Sequence, residues 1–209
     1  MIRCLPILIL VYTIVLTSCA TQSMSSKSPG PQQQPQPGTP STPLSSCPTK
    51  GWCPSYETFL QAQFSPSVLA TDQSSVCRQR LDPKRFWTGF VKAIVYCESG
   101  YDAASGMTED FKDGATGVLA RSVGLLQLSV GDKLNYKTPY CQRLTPETLK
   151  NPEINLGCGL EIMSTLVTRD KTLLGGSDPH WLGLARYWSV VRPGHCARSR
   201  VYVELPECK

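Results

Sequence analysis

Apolar side chains recur at helical spacing in three segments of the chain. Each segment opens with a short polar residue followed by proline: Asp82-Pro83, Asn151-Pro152 and Asp178-Pro179. Such a side chain can cap the first backbone N–H groups of a helix, and proline suits the first helical position. The apolar residues that follow are Trp87, Val91, Ile94 and Val95, then Ile154, Cys158, Ile162 and Leu166, then Trp181, Leu184, Ala185 and Trp188. The pattern predicts three helices.

Alternation of apolar and polar residues, the pattern of a half-buried strand, is confined to residues 201–205. Strands should therefore be few. We expect a mainly α domain with at most a short β-hairpin.

The first residues have the pattern of an export signal. An apolar run at residues 5–16 is too short to span a bilayer, so we expect residues 1–18 to be a signal peptide. The run ends in Leu16-Thr17-Ser18-Cys19, which resembles the lipobox of bacterial lipoproteins and implies lipidation of Cys19. The protein would then be anchored to a bacterial membrane and face the periplasm. The alternative is cleavage after Ala20, which would release a secreted protein.

Composition divides the remaining chain into three parts. Residues 19–46 consist almost entirely of Ser, Pro, Gln, Thr and Gly, which predicts a disordered tether behind the lipidated cysteine. Residues 47–82 are rich in cysteine and form a predicted N-terminal extension. Residues 83–209 have a length that suits one catalytic domain, and we expect a monomer.

The chain has ten cysteines, a number that suits an oxidising compartment. Cys4 would leave with the signal peptide and Cys19 would carry the lipid. The other eight permit up to four disulfides in 105 pairings. Closeness in the chain suggests only Cys47 with Cys53. The eight candidates for disulfide bonds are Cys47, Cys53, Cys77, Cys97, Cys141, Cys158, Cys196 and Cys208.

Charge and motif content argue against several classes of function. The formal net charge of +5 is a mild excess that suits wall carboxylates or anionic lipid, or an ordinary solvated surface. No motif indicates nucleic-acid binding. The only histidines are His180 and His195, and no H-E-x-x-H motif is present, so we expect neither a metal nor a cofactor.

Glu98 lies near the end of the first predicted helix, on the same face as its apolar residues. It follows Trp87 by eleven residues and Ile94 by four, spacings that return to one side of a helix. Burial of a carboxyl group disfavours its ionised form and raises its pKa. Glu98 is therefore a candidate general acid. The alternative from periodicity alone is a glutamate that bends into solvent at the helix end.

Four short motifs occur in a fixed order along residues 83–190. They are Glu98-Ser99-Gly100-Tyr101-Asp102-Ala103-Ala104-Ser105, Gly124-Leu125-Leu126-Gln127-Leu128, Asn151-Pro152-Glu153-Ile154-Asn155-Leu156-Gly157 and Ala185-Arg186-Tyr187. Together they resemble the soluble lytic transglycosylase domain of the lysozyme-like superfamily, which is related to goose-type lysozymes. The resemblance implies a disulfide-stapled, lysozyme-like α+β fold with a glycan cleft.

The resemblance also implies an activity, which is cleavage of the β-1,4 bond between N-acetylmuramic acid and N-acetylglucosamine in peptidoglycan glycan strands. Glu98 would protonate the leaving oxygen and later act as a base. The substrate-binding residues that the resemblance implies are Ser99, Gly124, Leu126, Gln127 and Tyr187. A surface amide is the alternative for Gln127, and a core aromatic is the alternative for Tyr187.

Two features depart from that family. Its members often have asparagine after the tyrosine, where this chain has Trp188. A longer polar stretch between Glu98 and Gln127 contains Asp110 and Asp113, and goose-type lysozymes, which are hydrolytic, use aspartates in this region to position water. Asp110 and Asp113 are therefore candidate water-positioning residues, with a solvated loop as the alternative.

The reaction product stays open at this point. The motifs favour a lytic transglycosylase, in which the sugar's own 6-hydroxyl closes a 1,6-anhydro ring. A hydrolytic lysozyme (muramidase), including one that acts on N-deacetylated glycan, is the first alternative. A non-catalytic wall-binding lipoprotein is the second.

Overall fold

The computed structural model describes residues 44–209. Within that range the chain is mainly helical, which confirms the predicted fold class, and it has two hairpins where one at most was expected. The helices are α1 (Pro54–Gln63), α2 (Pro66–Leu69), α3 (Pro83–Ser99), α4 (Asp132–Asn135), α5 (Pro152–Asp170) and α6 (Cys196–Glu204). Antiparallel strands β1 (Gly106–Lys112) and β2 (Leu119–Val123) form one hairpin, and β3 (Leu174–Ser177) and β4 (His180–Gly183) form the other. The predicted signal peptide, Cys19 and most of the tether lie outside the described residues.

Helix α3 forms where the first capping signal predicts it. The Asp82 carboxylate accepts a hydrogen bond from the Arg85 amide at 2.9 Å, and Pro83 takes the first helical position. The helix ends at Gly100, whose φ of 61° is left-handed. Its apolar face is buried completely, with Trp87 and Ile94 at 0 % exposure. The last turn of this central helix carries Glu98.

Helix α5 confirms the helix predicted from Asn151-Pro152. The Asn151 side chain accepts hydrogen bonds from the amides of Glu153 at 2.9 Å and Ile154 at 3.3 Å. Those bonds satisfy two of the amides that a helix start leaves without partners. Helices α1 and α2 pack against α5, and α1 also packs against α3.

The third predicted helix is wrong. Pro179 lies in the turn between β3 and β4, and the helical spacing from Trp181 to Trp188 corresponds to a strand followed by a short 3-10 turn. Gly176 has a φ of 75°, and a Cβ there would come within 2.0 Å of the His180 carbonyl oxygen. The glycine lets the two strands approach each other, and this backbone requirement outweighs the capping signal at Asp178-Pro179.

The alternating segment at residues 201–205 is also not a strand. It lies at the end of α6, where Val201 and Leu205 are buried and the side chains between them are more exposed. Two apolar residues four apart share one face of a helix as well as one face of a strand. The segment is helical because α6 packs against α3 and buries this face.

Four disulfides join the eight predicted cysteines in pairs. Cys47 bonds to Cys53, as closeness in the chain suggested, and the other pairs are Cys77–Cys208, Cys97–Cys196 and Cys141–Cys158. The Cys77–Cys208 bond spans 131 residues and ties the N-terminal extension to the end of the chain. The Cys97–Cys196 bond joins the end of α3 to the start of α6, next to Glu98.

The N-terminal extension contributes to the same core as the residues that follow it. Tyr56, Phe59 and Leu60 of α1 are at most 1 % exposed and belong to one apolar cluster with α3 and α5. No helix within residues 44–209 is both long enough and apolar enough to cross a membrane.

Candidate active site

A cleft of about 850 Å³ opens beside the C-terminal end of α3. One wall is the hairpin of β1 and β2. The other wall consists of residues from the 129–135 segment, which includes α4, and residues 187–190. Glu98 and Gln127 line the cleft between these walls. The volume lies within the range of ordinary ligand sites.

Glu98 has the electrostatics of a proton donor. Burial of its carboxyl group is the largest cause that raises its pKa, and the nearby negative charge of Glu109 is the second. Together they raise the pKa of Glu98 from 4.5 to about 7. A substantial fraction of Glu98 therefore keeps its proton near neutral pH, as a general acid must.

Glu109 is the second carboxylate of the cleft. It lies on β1 and lines the same cavity as Glu98. The Ser122 hydroxyl, on the paired strand β2, donates a hydrogen bond of 2.5 Å to Glu109 Oε1. Both glutamates are half-buried, and they differ in their partners: Glu109 accepts a hydrogen bond from a hydroxyl group, whereas the Glu98 carboxyl group accepts none from residues 44–209 and lies near the charge of Glu109.

The two aspartates that the sequence predicted to position water, Asp110 and Asp113, have different locations. Asp110 is exposed on β1 and does not line the cleft. Asp113 does line it, but both of its carboxylate oxygens already accept backbone hydrogen bonds. Oδ1 accepts from Ala115 and Thr116, at 2.8 and 3.1 Å, and Oδ2 accepts from Gly131 at 2.7 Å. Asp113 therefore ties the turn of the hairpin to the opposite wall.

Sequence reasoning did not identify Glu109. The signal that could have found it is the position of Glu109 between the large apolar residues Met107 and Phe111, two residues from each, which becomes meaningful only once residues 106–112 are known to form a strand. Side chains two residues apart in a strand point to the same side. All three of these residues line the cleft.

Gln127 reaches the cleft from a tight turn. Val123 and Leu128 exchange backbone hydrogen bonds of 2.9 and 3.1 Å, and Gly124 and Gln127 between them have left-handed φ angles of 87° and 50°. The side-chain nitrogen Nε2 of Gln127 donates hydrogen bonds to the carbonyl oxygens of Ser105 and Gly124 at 3.2 and 2.8 Å. Because Nε2 already has protein partners, the side-chain oxygen Oε1 is the group suited to accept a hydrogen bond from a ligand.

Asn155, in the first turn of α5, holds this turn in place. Its Oδ1 accepts a hydrogen bond from the Leu126 amide at 2.8 Å, and its Nδ2 donates to the Val123 and Leu149 carbonyls at 2.9 and 3.0 Å. Gly124 is required for this approach, because a Cβ there would come within 2.4 Å of Asn155 Nδ2. The motif at residues 151–157 therefore fixes the position of the motif at residues 124–128.

Leu126, Gly124 and Ser99 lie behind the cleft surface. Leu126 is fully buried, and neither it nor Gly124 lines the cavity. The Ser99 hydroxyl donates to the Val95 carbonyl at 3.0 Å, within α3. Of the predicted substrate-binding residues, the structure thus brings Gln127 and Tyr187 to the cleft with Glu98.

Tyr187 and Trp188 connect the last motif to the cleft. The Tyr187 hydroxyl donates a 2.6 Å hydrogen bond to Asp132 Oδ2, a buried carboxylate that also lines the cavity. Burial raises the pKa of Asp132, and the Tyr187 hydrogen bond opposes that rise. Trp188 occupies the position where the resembling family often has asparagine. Its indole Nε1 donates to the Leu126 carbonyl at 3.1 Å, which fixes the Gln127 turn from a second side.

Metal ligands are not assembled in the part of the chain that the structure describes. No group of three or more His, Cys, Asp or Glu side chains that could hold a metal ion occurs in residues 44–209.

Comparisons with known proteins find similar solved structures of one protein. No family model and no curated protein matches the chain. The solved wild-type structure of Bd0314 DslA from Bdellovibrio is 32% identical, with a TM-score of 0.64, and the match covers 74% of this chain and 91% of that one. Two glutamate-to-glutamine variants of DslA match at 30% and 31% identity, with TM-scores of 0.65 and 0.64 and the same coverage. The two replaced glutamates are eleven positions apart in DslA, the same separation as Glu98 and Glu109 here.

Proposed function

This chain belongs to the family of DslA, and from that premise we propose that it is a peptidoglycan glycosidase with Glu98 as its general acid. Its reaction is cleavage of the β-1,4 bond between N-acetylmuramic acid and N-acetylglucosamine. One observation carries the proposal, which is that Glu98 and Glu109 share a cleft and differ in environment.

A pair of carboxyl groups, one protonated and one ionised, is the usual requirement for hydrolysis of a glycosidic bond. One carboxyl group must be protonated to donate to the leaving oxygen, and the other must be ionised to act on the sugar or on water. With a pKa of about 7, Glu98 suits the first role. Glu109 lines the same cleft and accepts the Ser122 hydrogen bond, so it is the carboxylate placed to take the second role.

The second carboxylate favours hydrolysis. Both routes begin when Glu98 protonates the leaving oxygen and an oxocarbenium-like sugar develops. A transglycosylase then closes the anhydro ring without a second carboxylate, whereas a lysozyme uses one to hold water or to bond to the sugar. In this proposal Glu109 has the water-positioning role that the sequence predicted for Asp110 or Asp113. We propose the lysozyme route, and the transglycosylase route, which the motif order favours, is the alternative.

The comparison with DslA supports the importance of this pair. Replacing glutamate by glutamine keeps the side-chain volume and removes the proton chemistry. The two positions replaced in DslA have the spacing of Glu98 and Glu109. The equal spacing favours an enzyme over a wall-binding protein, because binding alone would not call for two glutamates in one cleft with the pKa of one of them raised to about 7.

The test is digestion of purified peptidoglycan by the wild type, Glu98→Gln, Glu109→Gln and Asp110→Asn, followed by mass analysis of the products. Asp110→Asn is the matched control, because Asp110 is the strand neighbour of Glu109 but lies outside the cleft. We expect Glu98→Gln to reduce the rate by about 10² to 10⁴-fold, the usual worth of general acid catalysis. We expect Glu109→Gln to be similarly impaired and Asp110→Asn to keep the wild-type rate.

The products separate the two routes. Reducing-end sugars, lost in both glutamate variants, would support the lysozyme route. Anhydro sugars formed at the wild-type rate by Glu109→Gln would support the transglycosylase route and refute the role of Glu109. Full activity of Glu98→Gln would refute the proposed function itself.

A further inference from the structure

Strand β1 presents large apolar side chains to solvent on the face that lines the cleft. Met107 is 59% exposed and Phe111 is 58% exposed, and both line the cavity on either side of Glu109 in the chain. Leu134 of α4, on the opposite wall, is 51% exposed and lines the same cavity. Both walls of the cleft therefore carry exposed apolar side chains among their polar residues.

Exposed apolar groups that cluster at a polar cavity indicate a binding surface. Scattered exposed apolar residues need no explanation, but three that line one cavity beside candidate catalytic carboxylates indicate a binding role. Its ligand must have apolar faces and must also carry groups that hydrogen-bond to Gln127 and the glutamates. A sugar ring meets both conditions, because its hydroxyls point outward around the ring and its C–H bonds form apolar faces.

The spacing along β1 relates these residues to the bond that is cleaved. A strand rises by about 3.3 Å per residue, so the Cα atoms of Met107 and Phe111 lie about 13 Å apart at most, with Glu109 between them. A glycan that runs along β1 with its scissile bond at Glu109 would extend past both residues. One sugar would lie towards Met107 and another towards Phe111.

We propose that Phe111 and Met107 bind the sugar rings on the two sides of the scissile bond. The inference rests on the proposed function and identifies two further substrate-binding residues for it. The negative face of the Phe111 ring attracts the polarised C–H groups of a sugar face. Met107 adds apolar contact with a side chain that adapts to the ring shape.

The experiment measures binding without turnover. Glu98→Gln serves as the background, and titration calorimetry measures its Kd for soluble tetrasaccharides of alternating N-acetylmuramic acid and N-acetylglucosamine, in acetylated and chemically N-deacetylated forms. Added to this background are Phe111→Ala, Met107→Ala, Phe111→Trp and Val118→Ala. Val118 is the matched control, because it is 64% exposed on the turn of the same hairpin but does not line this cleft.

We expect Phe111→Ala to weaken binding of the better-bound tetrasaccharide by about tenfold, as removal of an aromatic anchor does. Met107→Ala should weaken it by about threefold. Phe111→Trp should retain the Kd within about twofold and show a shift in tryptophan emission when the sugar binds. Val118→Ala should bind like the background.

Two outcomes would overturn the inference, and they are distinguishable. If the Glu98→Gln background binds the tetrasaccharide and Phe111→Ala and Met107→Ala bind it equally well, the two residues are not sugar-binding while the proposed function stands. If the background binds neither form of the tetrasaccharide, the proposed function falls and the inference falls with it.

Discussion

Asn155 accepts a 2.8 Å hydrogen bond from the backbone amide of Leu126, which lies 29 residues earlier in the chain and outside helix α5. The same side chain donates to the carbonyls of Val123 and Leu149. Asn155 is 0 % exposed, so water cannot replace these bonds. The position of the Gln127 turn thus depends on one buried amide in α5.

Asn155→Ala should therefore lower both stability and activity. The substitution leaves the Leu126 amide and the Leu149 carbonyl without their partner, while the Val123 carbonyl keeps its bond from the Leu128 amide. Each unsatisfied buried group costs about 1–3 kcal/mol. We expect the free energy of unfolding to fall by about 3 kcal/mol or more in a urea titration. Asn135→Ala, at the exposed end of α4, should change it by less than about 0.5 kcal/mol. Equal stability of both variants would show that the Asn155 bonds contribute little.

Glu98→Gln should be more stable than the wild type at high pH. Glu98 has a pKa of about 7 in the folded protein against an ordinary value of 4.5. Below pH 4.5 it is protonated in the folded and the unfolded chain. As the pH rises from 4.5 to 7 the unfolded chain releases the proton first, so the folded protein progressively loses stability, and the loss is complete above pH 7.

The gain from Glu98→Gln should accordingly reach about 2–3 kcal/mol above pH 7, less than the full shift in pKa implies because solvent screens the half-buried carboxyl group, and vanish near pH 4. Thermal unfolding of both proteins at a series of pH values measures it, with Asp110→Asn as the control for the loss of an exposed charge. A stability difference that does not change with pH would contradict the raised pKa of Glu98.

Glu109→Gln should lower the pKa of Glu98, because it removes the negative charge that is the second cause of its rise. Carbon-13 NMR of glutamate-labelled protein follows the titration directly and does not depend on activity. The Glu98 carboxyl signal should titrate near pH 7 in the wild type and at a lower pH in Glu109→Gln. Burial still contributes, so the value should stay above 4.5. An unchanged titration would mean that the two carboxylates do not interact.

Removal of the Cys97–Cys196 disulfide should destabilise the fold more than removal of Cys47–Cys53. A disulfide restricts the unfolded chain, and the restriction grows with the length of the closed loop. The two bonds span 99 and 6 residues. We expect the double alanine replacement of Cys97 and Cys196 to cost about 4 kcal/mol, against about 2 kcal/mol for the other pair, in urea titrations. The opposite order would mean that native contacts outweigh loop length.

The local sequence determines helices α3 and α5. Each has a capping side chain, a proline at its first position and an apolar face at helical spacing, and all three signals come from residues adjacent in the chain. The same combination of capping residue and proline at Asp178-Pro179 does not start a helix. There the glycine at position 176 allows two strands to approach closely, and that approach is a relation between separate segments.

The sequence also determined that Glu98 lies on an apolar helix face and that eight cysteines could pair. Tertiary structure alone decided which cysteines pair, since those bonds depend on which helix ends meet. It also decided that Glu109, and not Asp110, shares the cleft with Glu98. Neighbouring residues of a strand point to opposite sides, so the choice between two adjacent acids depends on the register of β1 against β2 and on the side of the hairpin that faces α3.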